Sequence, residues 1–174
     1  DRFAAIEAAR AGADGPARRR LDLLQHAFLP QQIPADLRLR IIELEASVET
    51  RFSRHRGEIA GRRVDENEIR RILRQSDDPG ERRAAWEASK TVGAEVADDV
   101  RELARLRNRA AHTLGFRDWF ALSVAMAEMD EGRLIATLDE ADRATAEPFG
   151  RWKVELDERL AARFRSPASD LEPW

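Results

Sequence analysis

"LRNRAAHTLGFRDWFALS", residues 106–123, sets an asparagine, a histidine, a glycine and a tryptophan into an otherwise plain helical pattern. Such a stretch is either an active site or the joint between two helices, and local chemistry favours the joint. Gly115 has no Cβ and can take the left-handed conformation that closes a helix, after which Phe116 can fold back over Ala111 in a Schellman-type contact. Asp118 then falls in the first turn of the next helix, where negative charge is favourable, and Trp119 and Phe120 are available to anchor it in a core. Asn108 and His112, one turn apart, are expected to make structural hydrogen bonds and to take no part in catalysis.

Working outward from the joint, the rest of the chain also reads as helix. Alanine, arginine, leucine and glutamate dominate, β-branched runs are absent, and no segment alternates apolar with polar residues as a half-buried strand would. Breaks fall at "GADGP" (12–16), "PQQIP" (30–34), "GRR" (61–63), "SDDPG" (76–80), Gly115 and "RSPAS" (165–169). Between them the pattern predicts helices at 1–12, 17–29, 35–59, 65–76, 79–114, 117–129 and 131–164. Asp65 with Glu68 and Asp78 with Glu81 are capping boxes, the second followed by Pro79 at the first helical position. The expected fold class is all-α, an elongated array of about seven helices with a long central helix and a C-terminal helix kinked at Pro148.

Two apolar stripes are expected to be buried. Val92, Val96, Val100, Leu103, Ala110 and Leu114 recur at helical spacing behind Trp86, and Leu138, Ala141, Thr145, Phe149, Trp152, Leu156, Leu160 and Phe164 do so on the last helix. A single helix over 79–114 would run to about 54 Å, longer than a compact domain of this size is wide. Either the molecule is elongated or a further part of the protein covers these faces. The start at Asp1 without a methionine and the end at "DLEPW" point the same way, toward a piece of a longer protein.

The chain has 174 residues, 43% hydrophobic and 36% charged, a composition expected of a soluble globular region; composition leaves the compartment open, and a cytoplasmic location is the expectation. No apolar run approaches the length of a membrane span, and "DRFAAIEAAR" does not resemble a secretory signal. The 30 basic and 33 acidic residues nearly cancel, which recommends neither a nucleic acid nor an anionic membrane as partner; Arg18, Arg19 and Arg20 read as a solvated face. There is no cysteine, so thiolate chemistry and cysteine-ligated zinc are excluded within this chain.

Candidate chemistry is sparse. His26, His55 and His112 lie far apart, and no His-Glu-x-x-His spacing places two imidazoles one turn apart on a helix face. Asp77 with Asp78, Asp98 with Asp99, and Asp139, Glu140 and Asp142 diverge around helices and are expected to face water. No serine sits in a nucleophile elbow, and no phosphate-binding or dinucleotide fingerprint occurs. The tryptophans Trp86, Trp119 and Trp152 are expected in the core. No catalytic, cofactor-binding or metal-ligating residue is assigned.

Order and spacing add one thing more. "SDDPGERRAAWEASKTVGAEV" (76–96), "VRELARLRNRAAHTLGFRDWFALSVAMAEMDEGRL" (100–134) and "FGRWKVELDERLAARF" (149–164) together resemble the amino-terminal helical region of the zinc peptidases related to angiotensin-converting enzyme and the bacterial oligoendopeptidases and peptidyl-dipeptidases. The resemblance covers residues 65–174, with 1–60 as helical lead-in or lid, all within one helical region spanning 1–174. It implies a channel wall in a peptidase acting on short peptides. In such relatives the zinc ligands follow in a downstream catalytic half, which would be this chain's partner. No zinc or other cofactor is expected in these 174 residues, and the chain alone is expected to be inactive. The arginine of the chloride-dependent relatives has no counterpart at Ala121, Leu122, Ser123 and Val124. The alternative is a helical scaffold or interaction domain without chemistry.

Overall fold

The computed structural model describes residues 2–174 and is all-α apart from one small hairpin. Its helices are α1 (Arg2–Ala11), α2 (Gly15–Phe28), α3 (Ala35–Arg54), α4 (Glu66–Gln75), α5 (Pro79–Lys90), α6 (Val92–Thr113), α7 (Trp119–Met126) and α8 (Glu131–Phe164); strands β1 (Gly57–Ile59) and β2 (Arg62–Val64) lie between α3 and α4. Asp1, where the first helix was expected to begin, lies outside the described residues. The aspartate half of each expected capping box forms, while the Glu68 carboxylate bonds Arg71 and the Glu81 carboxylate the Ser76 hydroxyl. Asp65 accepts from the Glu68 N–H at 2.9 Å and Asp78 from the Glu81 N–H at 2.8 Å.

Two stretches depart from the expected pattern. The helix expected over 35–59 stops at Arg54, and Gly57–Val64 form an antiparallel hairpin with Ile59 opposite Arg62. Its two-residue turn puts Ala60 at φ 51° and Gly61 at φ 77°, the positive pair that a hairpin of this twist requires. The central helix kinks at Thr91, which separates α5 from α6. There the Thr91 hydroxyl donates to the Ala88 carbonyl at 2.7 Å, and the Ala94 N–H reaches only the Thr91 carbonyl, at 3.2 Å. The ladder tightens to three-residue bonds at that point, and Gly93 beyond it adds little helix propensity.

The chain forms two compact units. In the first, made of the described residues of Asp1–Ala46 with Asp99–Glu131, Ile33, Leu37, Ile41 and Leu44 pack against Leu103 and Ala110, with Leu106, Leu114 and Trp119 at the margin. In the second, Ser47–Asp98 with Gly132–Trp174, the core is Val64, Ile69, Ile72, Ala85 and Ala88. Hairpin and α5 meet closely: a Cβ on Gly57 would stand 2.8 Å from the Ala88 carbonyl oxygen.

Of the expected stripes, Val96, Leu103 and Ala110 are buried, but Val100 is exposed. The stripe on α8 is open along its middle, where Leu138 and Phe149 are 57% exposed and Trp152 54%, and half-buried at Leu156, Leu160 and Phe164. Periodicity reports that a face is apolar and says nothing of what covers it. α8 continues through Pro148, whose missing N–H leaves the Ala144 carbonyl without its ladder donor.

Charge holds part of the second unit. Hydrogen bonds from Arg71 at 2.9 and 3.0 Å, and then from Arg62 at 3.2 Å, hold the Glu68 carboxyl down to about 2. A carboxyl depressed on folding stabilises the native state above its unfolded pKa and loses that contribution as pH falls through the folded value. The Glu68 contribution is therefore complete above about 4.5 and fades toward about 2. In an NMR side-chain titration Arg71→Met is expected to raise the Glu68 midpoint; an unmoved midpoint would remove Arg71 as the main cause.

Candidate functional site

The joint that opens the sequence question is built as structure. Gly115 takes φ 82°, its N–H bonds the His112 carbonyl at 3.1 Å, and the Phe116 N–H bonds the Ala111 carbonyl at 3.0 Å, the two bonds of a Schellman motif. Asp118 is the N-cap of α7 and lies one step before the first turn; its carboxylate accepts from the Ala121 N–H at 2.8 Å. That bond, and then the Arg117 guanidinium, lower its pKa. Asn108 accepts from the Trp119 N–H at 3.0 Å, and His112 Nε2 donates to the Arg117 carbonyl at 2.7 Å. Both side chains stitch the two helices together. Fully buried Ala110 and Ala111 leave room for this close turn, and Arg107 ties it to α3 by bonding Glu45 at 2.7 Å while lying over the Trp119 ring.

The other histidine of interest is His55, just beyond the end of α3. Its Nε2 is 2.9 Å from Thr91 Oγ1 and its Nδ1 2.7 Å from Glu95 Oε1. Both ring nitrogens are within hydrogen-bond distance of a partner at or beyond the kink. His55 thus clamps the kink between α5 and α6 to the root of the hairpin. Beside it lies a cleft of about 230 Å³ whose apolar walls include Phe52, Ile69 and Val92 and whose polar rim includes His55 and Arg56. That volume suits one side chain more than a drug-sized ligand, for which roughly 300–1,000 Å³ is usual.

Polar groups that line the cleft bond to the protein itself. Both His55 nitrogens are occupied, the Ser89 hydroxyl donates to the Trp86 carbonyl at 2.6 Å, and Glu66 is paired with Arg70 at 2.8 Å. The histidines do not fit a zinc site. His26 lies 3.7 Å from Glu128, His55 sits at the kink and His112 at the joint; no three His, Cys, Asp or Glu side chains converge as a ligand set among the described residues.

Several of the carboxylates that the sequence grouped have separate local roles. Asp77 pairs with Arg163 at 2.6 Å, Asp78 caps α5, and Asp139 and Asp142 line a shallow depression with Arg143. Of the tryptophans, Trp86 and Trp119 are half-buried and Trp152 is exposed, against the expectation of a core position. Trp174 packs on Trp86 with ring centroids 5.4 Å apart.

The features that sequence reasoning missed are the His55 clamp and the exposed α8 face, where Phe149 and Trp152 lie 5.7 Å apart beyond Ile135 and Leu138. The clamp could not be seen because 36 and 40 residues separate its partners. No helix among the described residues is long and apolar enough to cross a membrane. Compared with known proteins, the chain matches no family model, no curated protein and no solved structure.

Proposed function

We propose that this chain is the amino-terminal helical part, a channel wall or lid, of a zinc-dependent oligopeptidase or peptidyl-dipeptidase that acts on short peptides. The observation that carries the reading is the α8 face. Leu138, Phe149 and Trp152 stand more than half exposed on one long helix, and a further part of the protein would bury them. The ordered motifs of residues 76–164 support the same reading, since they resemble the helical half of such peptidases. In this role the chain shapes access, and zinc, when bound in the downstream catalytic half, supplies the activated water.

The expected result is a split outcome. This chain alone binds no zinc stoichiometrically and leaves a quenched peptide uncut, whereas a longer protein containing it and a His-Glu-x-x-His helix cuts that peptide. Stoichiometric zinc on this chain alone would overturn the assignment, as would a longer protein without such a helix. The same α8 face also suits the second reading, a non-catalytic helical scaffold, because uncovered apolar faces mark partner surfaces; an inactive longer protein that still buries the face would favour it.

A further inference from the structure

Residues 51–63 carry five arginines, Arg51, Arg54, Arg56, Arg62 and Arg63, against one acid, Glu58, in a chain whose formal net charge is −3. Two are engaged: Arg51 donates to the Glu95 carbonyl at 3.0 Å, and Arg62 bonds Glu68. The other three line one open basin with Asp65, between the end of α3 and the hairpin. Asp65 is already occupied as the α4 cap. Arg56 directs one amino group, Nη1, at the carbonyls of Ser53 and His55, at 3.2 and 2.7 Å, while its other amino group and its Nε make no hydrogen bond among the described residues. Among the described residues neither Arg54 nor Arg63 makes an ion pair. Arg54 complements the negative end of α3, and Arg63, on β2, stands across the hairpin from Glu58 without forming an ion pair with it.

We propose that this basin binds a phosphate group. Guanidinium forks donate pairs of parallel hydrogen bonds to oxyanions, and a single carboxylate is satisfied by one fork. A dianionic tetrahedral phosphate offers enough oxygens and charge for several forks at once, and in the basin three arginines stand against the single carboxylate of Asp65. Because the basin is open to water, binding is weak and weakens further with salt. The inference stands on the local charge arrangement and is independent of the peptidase reading.

The test is an amide NMR titration of this chain with inorganic phosphate, with phenyl phosphate and with acetate, all at one ionic strength. Phosphate is expected to shift the amides of residues 54–56 and 62–65 saturably, and acetate to bind at least ten-fold more weakly. Tighter binding of phenyl phosphate than of inorganic phosphate assigns the site to an ester carried by a larger molecule; equal or weaker binding assigns it to the free anion. Arg63→Ala, at an exposed position, is expected to keep the spectrum of the fold and to weaken phosphate at least three-fold. Acetate equal to phosphate, shifts scattered over distant arginines, or unchanged binding by folded Arg63→Ala would each overturn the proposal.

Discussion

Gly57→Ala is expected to lower the stability of the protein by about 2–3 kcal/mol, a core overpacking cost, and the melting temperature by roughly 5–10 °C for a chain of this size. The reason is contact with backbone. The added methyl would meet the Ala88 carbonyl oxygen at 2.8 Å and its carbon at 3.1 Å, neither of which can rotate away. Relief requires the hairpin to lift from α5 and so opens the core of Val64, Ile69, Ile72, Ala85 and Ala88. Gly93→Ala is the control, because nothing lies within 4 Å of its added methyl and alanine favours a helix. Thermal unfolding of both variants checks this; equal melting temperatures would contradict the close packing of β1 on α5.

Gly115→Val is expected to cost roughly 2–3 kcal/mol by another mechanism, strain in the left-handed region. There is open space around Gly115, so sterics with neighbours play no part. Its φ of 82° does, since a β-branched residue is poorly tolerated there. If the backbone gave way, the bonds from Gly115 to His112 and from Phe116 to Ala111 would go with it. The Asn108 and His112 bonds that seat α7 would also weaken. Gly115→Asn, which enters this region more readily, is expected to lose distinctly less. Equal melting temperatures for wild type and Gly115→Val would rule out the Schellman cap.

Much of this architecture is legible in the sequence because it rests on local chemistry. Asp65, Asp78 and Pro79 announce helix starts, and Gly115 followed by Phe116 announces the joint; each works within a few residues of itself. The hairpin is less legible. Three-residue strands are too short for alternation to register, and only the turn Ala60–Gly61, with glycine in its second place, gives a local sign. The kink at Thr91 depends on a side chain returning to its own helix, in a stretch, "TVGAEV", whose pattern continues unbroken. His55 reaches Thr91 and Glu95 only after the chain has folded, and no spacing rule anticipates that. Burial on α8 failed for a different reason: its apolar period was read correctly, but the period does not identify a covering surface. The arginine basin was the least legible part, since it joins side chains from a helix end, a connecting loop and a strand.

The two cores also differ in how far along the chain their partners lie. Val64 and Ala88 are 24 residues apart, whereas Leu44 and Leu103 are 59 apart. Because the entropy of loop closure grows with the logarithm of length, the more distant pair costs roughly 0.8 kcal/mol more to bring together from the unfolded chain. The hairpin, α4 and α5 can therefore gather their apolar residues through short excursions of neighbouring chain. The cluster around Ile41 must wait on a segment that begins beyond all of them, so topology gives the middle of the sequence a head start in assembly.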